Sequence, residues 1–359
     1  MTKRLPHSRR PVFPLLLLAV LLLPLAARAG QAVPVHEIPL AGPAAERSAE
    51  ISGMDWRGDE LVLLPQYPDW RAPGQPGVLF AIPRAEVERA VADALAGRTP
   101  APVRPREIEV RGADLRGLVP GFEGFESIVF LSAREAVLSV ESHGDFALAP
   151  RMHGRLVRAE LDAGGRTLRI LPGTLAEVPL EVNLRNMGVE ALVFDGTKIA
   201  AFYEANGRNV NPAPKAWLFG PDLAPRGTLP LAPLEYRLTD ASRPDAQGRF
   251  WVINYLWPGE RDMLKPAAGE DPGPGVAVER LVCLQLGPKG IERANVAPVD
   301  LVPAAEPRNW EGLAVLPGKG FLLATDTYPR TILGFVPYAE AGQPAPAPLP
   351  GDAAKAPAP

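Results

Sequence analysis

One hairpin pattern is written five times along this chain, and that repetition restricts the fold more than any other feature of the sequence. The copies are "SGMDWRGDELVLLPQ" from Ser52 to Gln66, "ESIVFLSAREAVLSVE" from Glu126 to Glu141, and "EALVFDGTKIAAFYE" from Glu190 to Glu204. Two more follow: "DASRPDAQGRFWVIN" from Asp240 to Asn254 and "EGLAVLPGKGFLLATD" from Glu311 to Asp326. Each is an apolar strand, a turn with Gly, Asp or Ala-Arg, and a second, more continuous apolar strand. From first to last residue the copies advance by 14, 15, 14, 14 and 15 positions. The fourth is the most degraded in its first strand.

A third strand of alternating character follows each hairpin: "GVLFAIP", "GRLVRAEL", "KAWLFG", "ERLVCLQL" and "TILGFVPY". Fourth strands are fainter, at "REIEV", "TLRIL", "GTLPL" and "APVDLV", and the last repeat has none. The segment "AVPVHEIPL" near the start is an unpaired strand of the right kind to complete it. Joining the two closes a ring and removes exposed sheet edges. This is the sequence of an all-β protein, a β-propeller of five four-stranded blades, with six left open. The 43 prolines and 34 glycines fit many short strands joined by turns. One stretch departs from this pattern. "PRAEVERAVADALAGRTP" carries Val87, Ala90, Val91, Ala94 and Leu95 at helical spacing, so a surface helix is expected at about 83–98, inserted in the first blade.

The two ends read differently. Residues 1–29 have a basic start, an apolar run broken by Pro14 and Pro24, and a small-residue cleavage site before Gly30, as in an export signal. The apolar run is short for a bilayer span, so no membrane span is expected after cleavage and the protein is expected to be periplasmic or secreted. Removing Lys3, Arg4, Arg9, Arg10 and Arg28 leaves 33 bases against 41 acids, a formal charge of −8 instead of −3. No basic block remains to track a phosphate backbone, which excludes nucleic acid as an expected partner. Residues 340–359 are dominated by Pro and Ala and are expected to form a disordered tail. The propeller is therefore expected over 30–339, as a monomer. Its single cysteine, Cys283, sits in an apolar strand and reads as a small core residue.

The openings "E-[GAS]-[LI]-x-[VF]" and the segments "NMGVEALVF", "QGRFWVIN" and "NWEGLAVL" resemble the phytase-like, also called esterase-like, group of secreted bacterial β-propellers. The resemblance covers most of residues 48–338 and implies a phosphoester or ester hydrolase. The multi-Asp calcium clusters of a working phytase are not written in this sequence.

In a propeller the first strand of each blade lines the central channel and the second returns beside it. The starts (Ser52, Glu126, Glu190, Asp240, Glu311) and the ends (Gln66, Glu141, Glu204, Asn254, Asp326) should therefore ring one mouth. Seven of the ten are acids, which repel one another unless they are protonated, paired with arginine or neutralised by a cation. Glu126, Glu190, Glu311 and Asp326, with Glu141 and Glu204 beside them, are the candidate ligands of calcium or another divalent cation. No organic cofactor is indicated. Hydrogen bonding to neighbouring blades is the structural use of such acids, and it explains the starts better than the ends. Arg208, Arg261 and Arg330 follow second strands closely and, with Tyr328, are the candidate substrate contacts. His143, between Glu141 and Asp145, is the candidate proton carrier, and Glu190 its catalytic partner.

Three functions fit this pattern. The first is a cation-assisted hydrolase of a small anionic ester. The second is a non-catalytic propeller that binds a protein or glycan ligand with the same face. The third is a scaffold with calcium plugging its channel.

Overall fold

The structure, a computed structural model, describes residues 32–144 and 151–338. The expected export signal, the Pro/Ala tail and Asp145 lie outside these residues. The chain opens with β1 (His36–Ile38) and then runs through β2 (Ile51–Arg57), β3 (Glu60–Pro65), β4 (Gly77–Pro83) and β5 (Arg106–Arg111). Helix α1 (Arg84–Leu95) stands between β4 and β5, at the place its periodicity indicates. It buries Val87, Ala90, Val91 and Ala94, whereas Leu95 at its last turn is exposed.

The next blade is β6 (Phe122–Phe130), β7 (Glu135–Ser142), β8 (His153–Leu161) and β9 (Thr167–Val178). Then come β10 (Val189–Phe194), β11 (Ile199–Tyr203), β12 (Lys215–Phe219) and β13 (Pro225–Pro230). The fourth set is β14 (Arg237–Ala241), β15 (Arg249–Leu256) and β16 (Val278–Leu286), whose outer edge is shared by β17 (Ile291–Arg293) and β18 (Val299–Asp300). The last is β19 (Trp310–Leu316), β20 (Gly320–Thr325) and β21 (Leu333–Pro337). β1 pairs antiparallel with β21, His36 opposite Phe335, and supplies the strand the last repeat lacks.

Within each group the strands pair antiparallel in chain order, so the described strands form five groups. The inner strands close a circle: β2 packs on β6, β6 on β10, β10 on β14, β14 on β19, and β19 back on β2. This is a β-propeller. The first two groups are further joined edge to edge by a parallel pairing of β5 with β9, Glu109 opposite Thr167. Apolar side chains from adjoining blades interleave between them, as where Leu61, Leu63, Phe80 and Ile82 pack with Leu322 and Phe335. Cys283 is buried in one such layer.

The fourth copy of the hairpin is phased differently from its sequence reading. Its inner strand begins before Asp240, running from Arg237 to Ala241, and "SRPDAQG" is the turn. Pro244 lacks the amide a ladder strand needs, and Asp245 accepts from the amides of Gln247 and Arg249 to fold the turn. Asp240 and Asn254 are therefore not the mouth pair of that blade.

Candidate functional site at the channel mouth

Each inner hairpin loses register near the start of its first strand, and β6–β7 does so a second time, between Phe122 and Gly124. After the pairs Ile51↔Pro65, Phe125↔Val140, Val189↔Tyr203, Leu238↔Asn254 and Trp310↔Thr325, the inner strand carries one extra residue. Those residues are Ser52, Glu126, Glu190, Thr239 (by the same offset) and Glu311. A β-bulge turns its side chain out of the strand's alternation, and here it turns one polar group per blade toward the channel. In four of the five the residue after the bulge is small (Gly53, Ser127, Ala191 and Gly312), and where it is glycine the neighbouring blade comes close. A Cβ on Gly53 would lie 3.0 Å from Ser127 Cα, and one on Gly312 would lie 2.8 Å from Met54 Cγ. This is the physical content of the "E-[GAS]" motif.

The five bulges divide the work. The hydroxyls tie blades: Ser52 Oγ donates to Phe125 O at 2.5 Å, and Thr239 Oγ1 to Trp310 O at 2.6 Å. The glutamates instead face a cavity of about 630 Å³ at the mouth. Glu126, Glu190 and Glu311 line it together with Glu141, Asp326, Glu260 and Glu306, seven acids in all among the described residues. Trp257 and Tyr328 form its rim, 51% and 60% exposed, with Tyr255 buried behind them. Arg237 is its one lining base among the described residues. The Arg237 side chain is 7% exposed and bonded on every side. Its Nε meets Glu204, its other nitrogens lie 3.3 Å from Glu311 and 3.6 Å from Glu260, and its guanidinium stands 5.7 Å from the Tyr255 ring. Asn309 braces the same corner, donating to Glu311 at 2.7 Å and to Asp326 at 3.3 Å.

Across the cavity the acids have no such partner. Glu126 accepts one hydrogen bond, from Gln66 Nε2 at 2.9 Å. Glu141 and Glu190 are 2% and 3% exposed, and neither is in an ion pair among the described residues. Glu141 Oε1 is buried without a side-chain partner. Gly188 packs so tightly on it that a Cβ there would stand 2.4 Å from that oxygen, and the Gly188 amide is the one group that lowers its proton affinity by hydrogen bonding. Burial, then Glu123, pushes the Glu141 carboxyl up to about 8. Burial, then a neighbouring glutamate, raises Glu126 and Glu190 well above the usual carboxylate range. Glu311 is raised by burial and Asp326, and Asp326 by burial. Burial and mutual repulsion thus favour the protonated form of these carboxyls.

The structure thus brings Glu126, Glu141, Glu190, Glu311, Asp326 and Tyr328 to one cavity, with Glu204 directly behind Arg237. It leaves other candidates outside. Arg208 lies 3.8 Å from Glu235 beside a separate surface groove, Arg261 is held by Asp271 and Asp262, and Arg330 reaches Glu37. Each of these arginines is instead placed beside an acid outside the cavity, Glu37 being on β1. His143 does not line the cavity either. Its amide bonds to Gly121 O at 3.0 Å and its Nδ1 sits 2.9 Å from Gly144 O, with Glu123 between it and the acid ring. Asp240 lies deeper in the channel, where its carboxylate accepts from the Leu313 amide at 2.7 Å and from the Met54 amide, tying three blades.

The sequence reading missed Glu260 and Glu306 in the lining and, with more consequence, Arg237. Arg237 stands two positions before the Thr239 bulge, where the second and third blades have Gly124 and Gly188, so the repeat carries no signal for it. The acids do not gather on one point: among the described residues no group of three or more His, Cys, Asp or Glu side chains is placed to hold a metal ion. The calcium expected from the sequence therefore has no ready-made donor set here.

No family model matches the chain, and no curated protein matches it in sequence. Solved structures resemble it in architecture. A luciferin-regenerating enzyme aligns at 10% identity over 87% of this chain and 99% of its own, with a TM-score of 0.44. A thermostable family-43 glycoside hydrolase aligns at 11% identity, 88% and 98% coverage and a TM-score of 0.44. The periplasmic gluconolactonase of Pseudomonas aeruginosa aligns at 10% identity, 79% and 70% coverage and a TM-score of 0.40. Likeness at this level bears on neither reaction nor substrate.

Proposed function

We propose that this chain is an exported β-propeller that takes a positively charged group into its acid-ringed mouth. One observation carries the reading: seven carboxylic acids line the cavity against a single arginine, and that arginine is already shared by Glu204, Glu260 and Glu311. Burying so many acids without counter-charge is unfavourable, and a bound cation relieves it as protons leave. Thermal melts test this directly. Calcium, magnesium, manganese or a small organic cation should raise the melting temperature of the wild type, and less so of Glu190→Gln, because a ligand of the native state stabilises it. If none of them shifts the melt, the reading falls.

Ester hydrolysis of the phytase-like kind is the second reading, and the proton-bearing ring favours it. A carboxyl held near neutrality, as in Glu141, is a serviceable general acid, and Glu190 is the adjoining base. This moves the proton-carrying role from His143 to the acids, and Arg237 becomes the one guanidinium near an anionic oxygen. Turnover of p-nitrophenyl phosphate, p-nitrophenyl acetate or phytate that disappears in Glu190→Gln would support hydrolysis; no turnover of any of them leaves binding as the function.

A further inference from the structure

Resting on that reading of the mouth, we propose that its ligand is a small organic cation, an amine or guanidinium on a carbon frame, rather than a bare metal ion. The size of the cavity is the first argument. About 630 Å³ is the space of a small molecule and far exceeds the roughly 30 Å³ a water-sized particle occupies. Its acids are spread around the walls rather than gathered on one centre, an arrangement that suits several N–H donors pointing different ways and does not suit one ion.

The rim is the second argument. Trp257 and Tyr328 are large aromatic side chains left mostly open at the entrance to an acidic cavity. Aromatic faces attract cations and bury alkyl groups, so such a rim selects an organic cation over a hydrated metal. The site also contains its own precedent. Arg237 is a guanidinium held by three glutamates beside the Tyr255 ring. On the facing wall, Glu141 and Glu190 are equally buried and line the same space, and Glu141 Oε1 has no side-chain partner. The donor that would complete the facing wall is of the kind Arg237 supplies on its own side. The raised proton affinities on that wall add a signature: a cation must displace protons to bind.

The experiment is calorimetric titration of the full chain with butylguanidinium, its uncharged analogue butylurea, and calcium chloride. Butylguanidinium is expected to bind saturably, releasing protons at pH 7 and tightening as the pH rises toward 8.5. Butylurea is expected not to bind. Glu190→Gln should weaken butylguanidinium by about tenfold or more, the loss of one charge-assisted contact. Trp257→Ala should weaken it by roughly five- to tenfold through the lost cation–π contact; Trp257 is exposed, so this variant remains informative if Glu190→Gln folds poorly. Arg208→Ala, outside the cavity, should bind like the wild type. Equal binding of butylurea, or binding of calcium alone, overturns the organic-cation assignment while leaving the mouth a cation site. Binding of none of the three removes the assignment, and extending the melts to other amines and divalent metals then decides the mouth reading separately.

Discussion

Arg237 is the side chain on which the mouth depends. It sits among Glu204, Glu260 and Glu311, and removing it leaves buried acids facing each other with no base between them. Arg237→Ala should destabilise the protein by about 3–5 kcal/mol, the usual result of breaking one side of a buried pair, read from urea unfolding. Glu190→Gln should do the reverse in ligand-free protein near pH 8, raising the melting temperature by removing a buried acid that is repelled by its neighbours and is in no ion pair among the described residues. The ring as a whole should make stability fall with pH. Its carboxyls bind protons more tightly folded than unfolded, so their contribution is fully present below the unfolded carboxylate range near pH 4.5. It is lost as pH rises through the folded values, about 8 for Glu141. Melting temperatures at pH 5.5, 7 and 8.5 should decline in that order, and a rising series would contradict the picture. The acids could be read from the sequence because they recur at a fixed spacing. Arg237 could not, because its counterparts in the second and third blades are glycines and no repeat points to it.

The five bulges explain how one short motif does two jobs. Where the bulged residue is a serine or threonine it ties its blade to the next, and where it is a glutamate it furnishes the cavity. Ser52→Ala and Thr239→Val should each cost about 1 kcal/mol for the lost bond to Phe125 O or Trp310 O, measured by chemical denaturation, without altering ligand binding. Gly312→Val should cost more, about 1–3 kcal/mol, since its side chain would press on Met54 and Ala324. The hairpins, the helix of the first blade and the closing strand were legible because each follows from hydrophobic period and turn chemistry. The phase of β14 was not. "EYRLTDASRPD" offers two alternations, and only pairing with β15 chooses between them. Side-chain reach was equally hidden: sequence placed Arg208, Arg261 and Arg330 near the mouth, but their acidic neighbours Glu235, Asp271 and Glu37 are brought there only by the tertiary fold.

For the molecule as a whole, the ring is locked at both ends of its channel. Opposite the acid mouth, Arg243 grips Asp55 through two bonds of 2.6 Å, and both bond Phe130, joining three blades across 188 residues of chain. Asp55→Ala should therefore destabilise by about 3 kcal/mol, and as the pair is buried the loss should change little with added salt, in contrast to a surface pair. The closing strand has a different consequence, one of timing. β1 is made first, yet its partner β21 comes nearly 300 residues later, His36 meeting Phe335. Until that last segment exists the circle has two open edges and the chain has no finished state to fall into. Contacts this distant make folding slow, so a nascent chain stays threadable for as long as it is being synthesised.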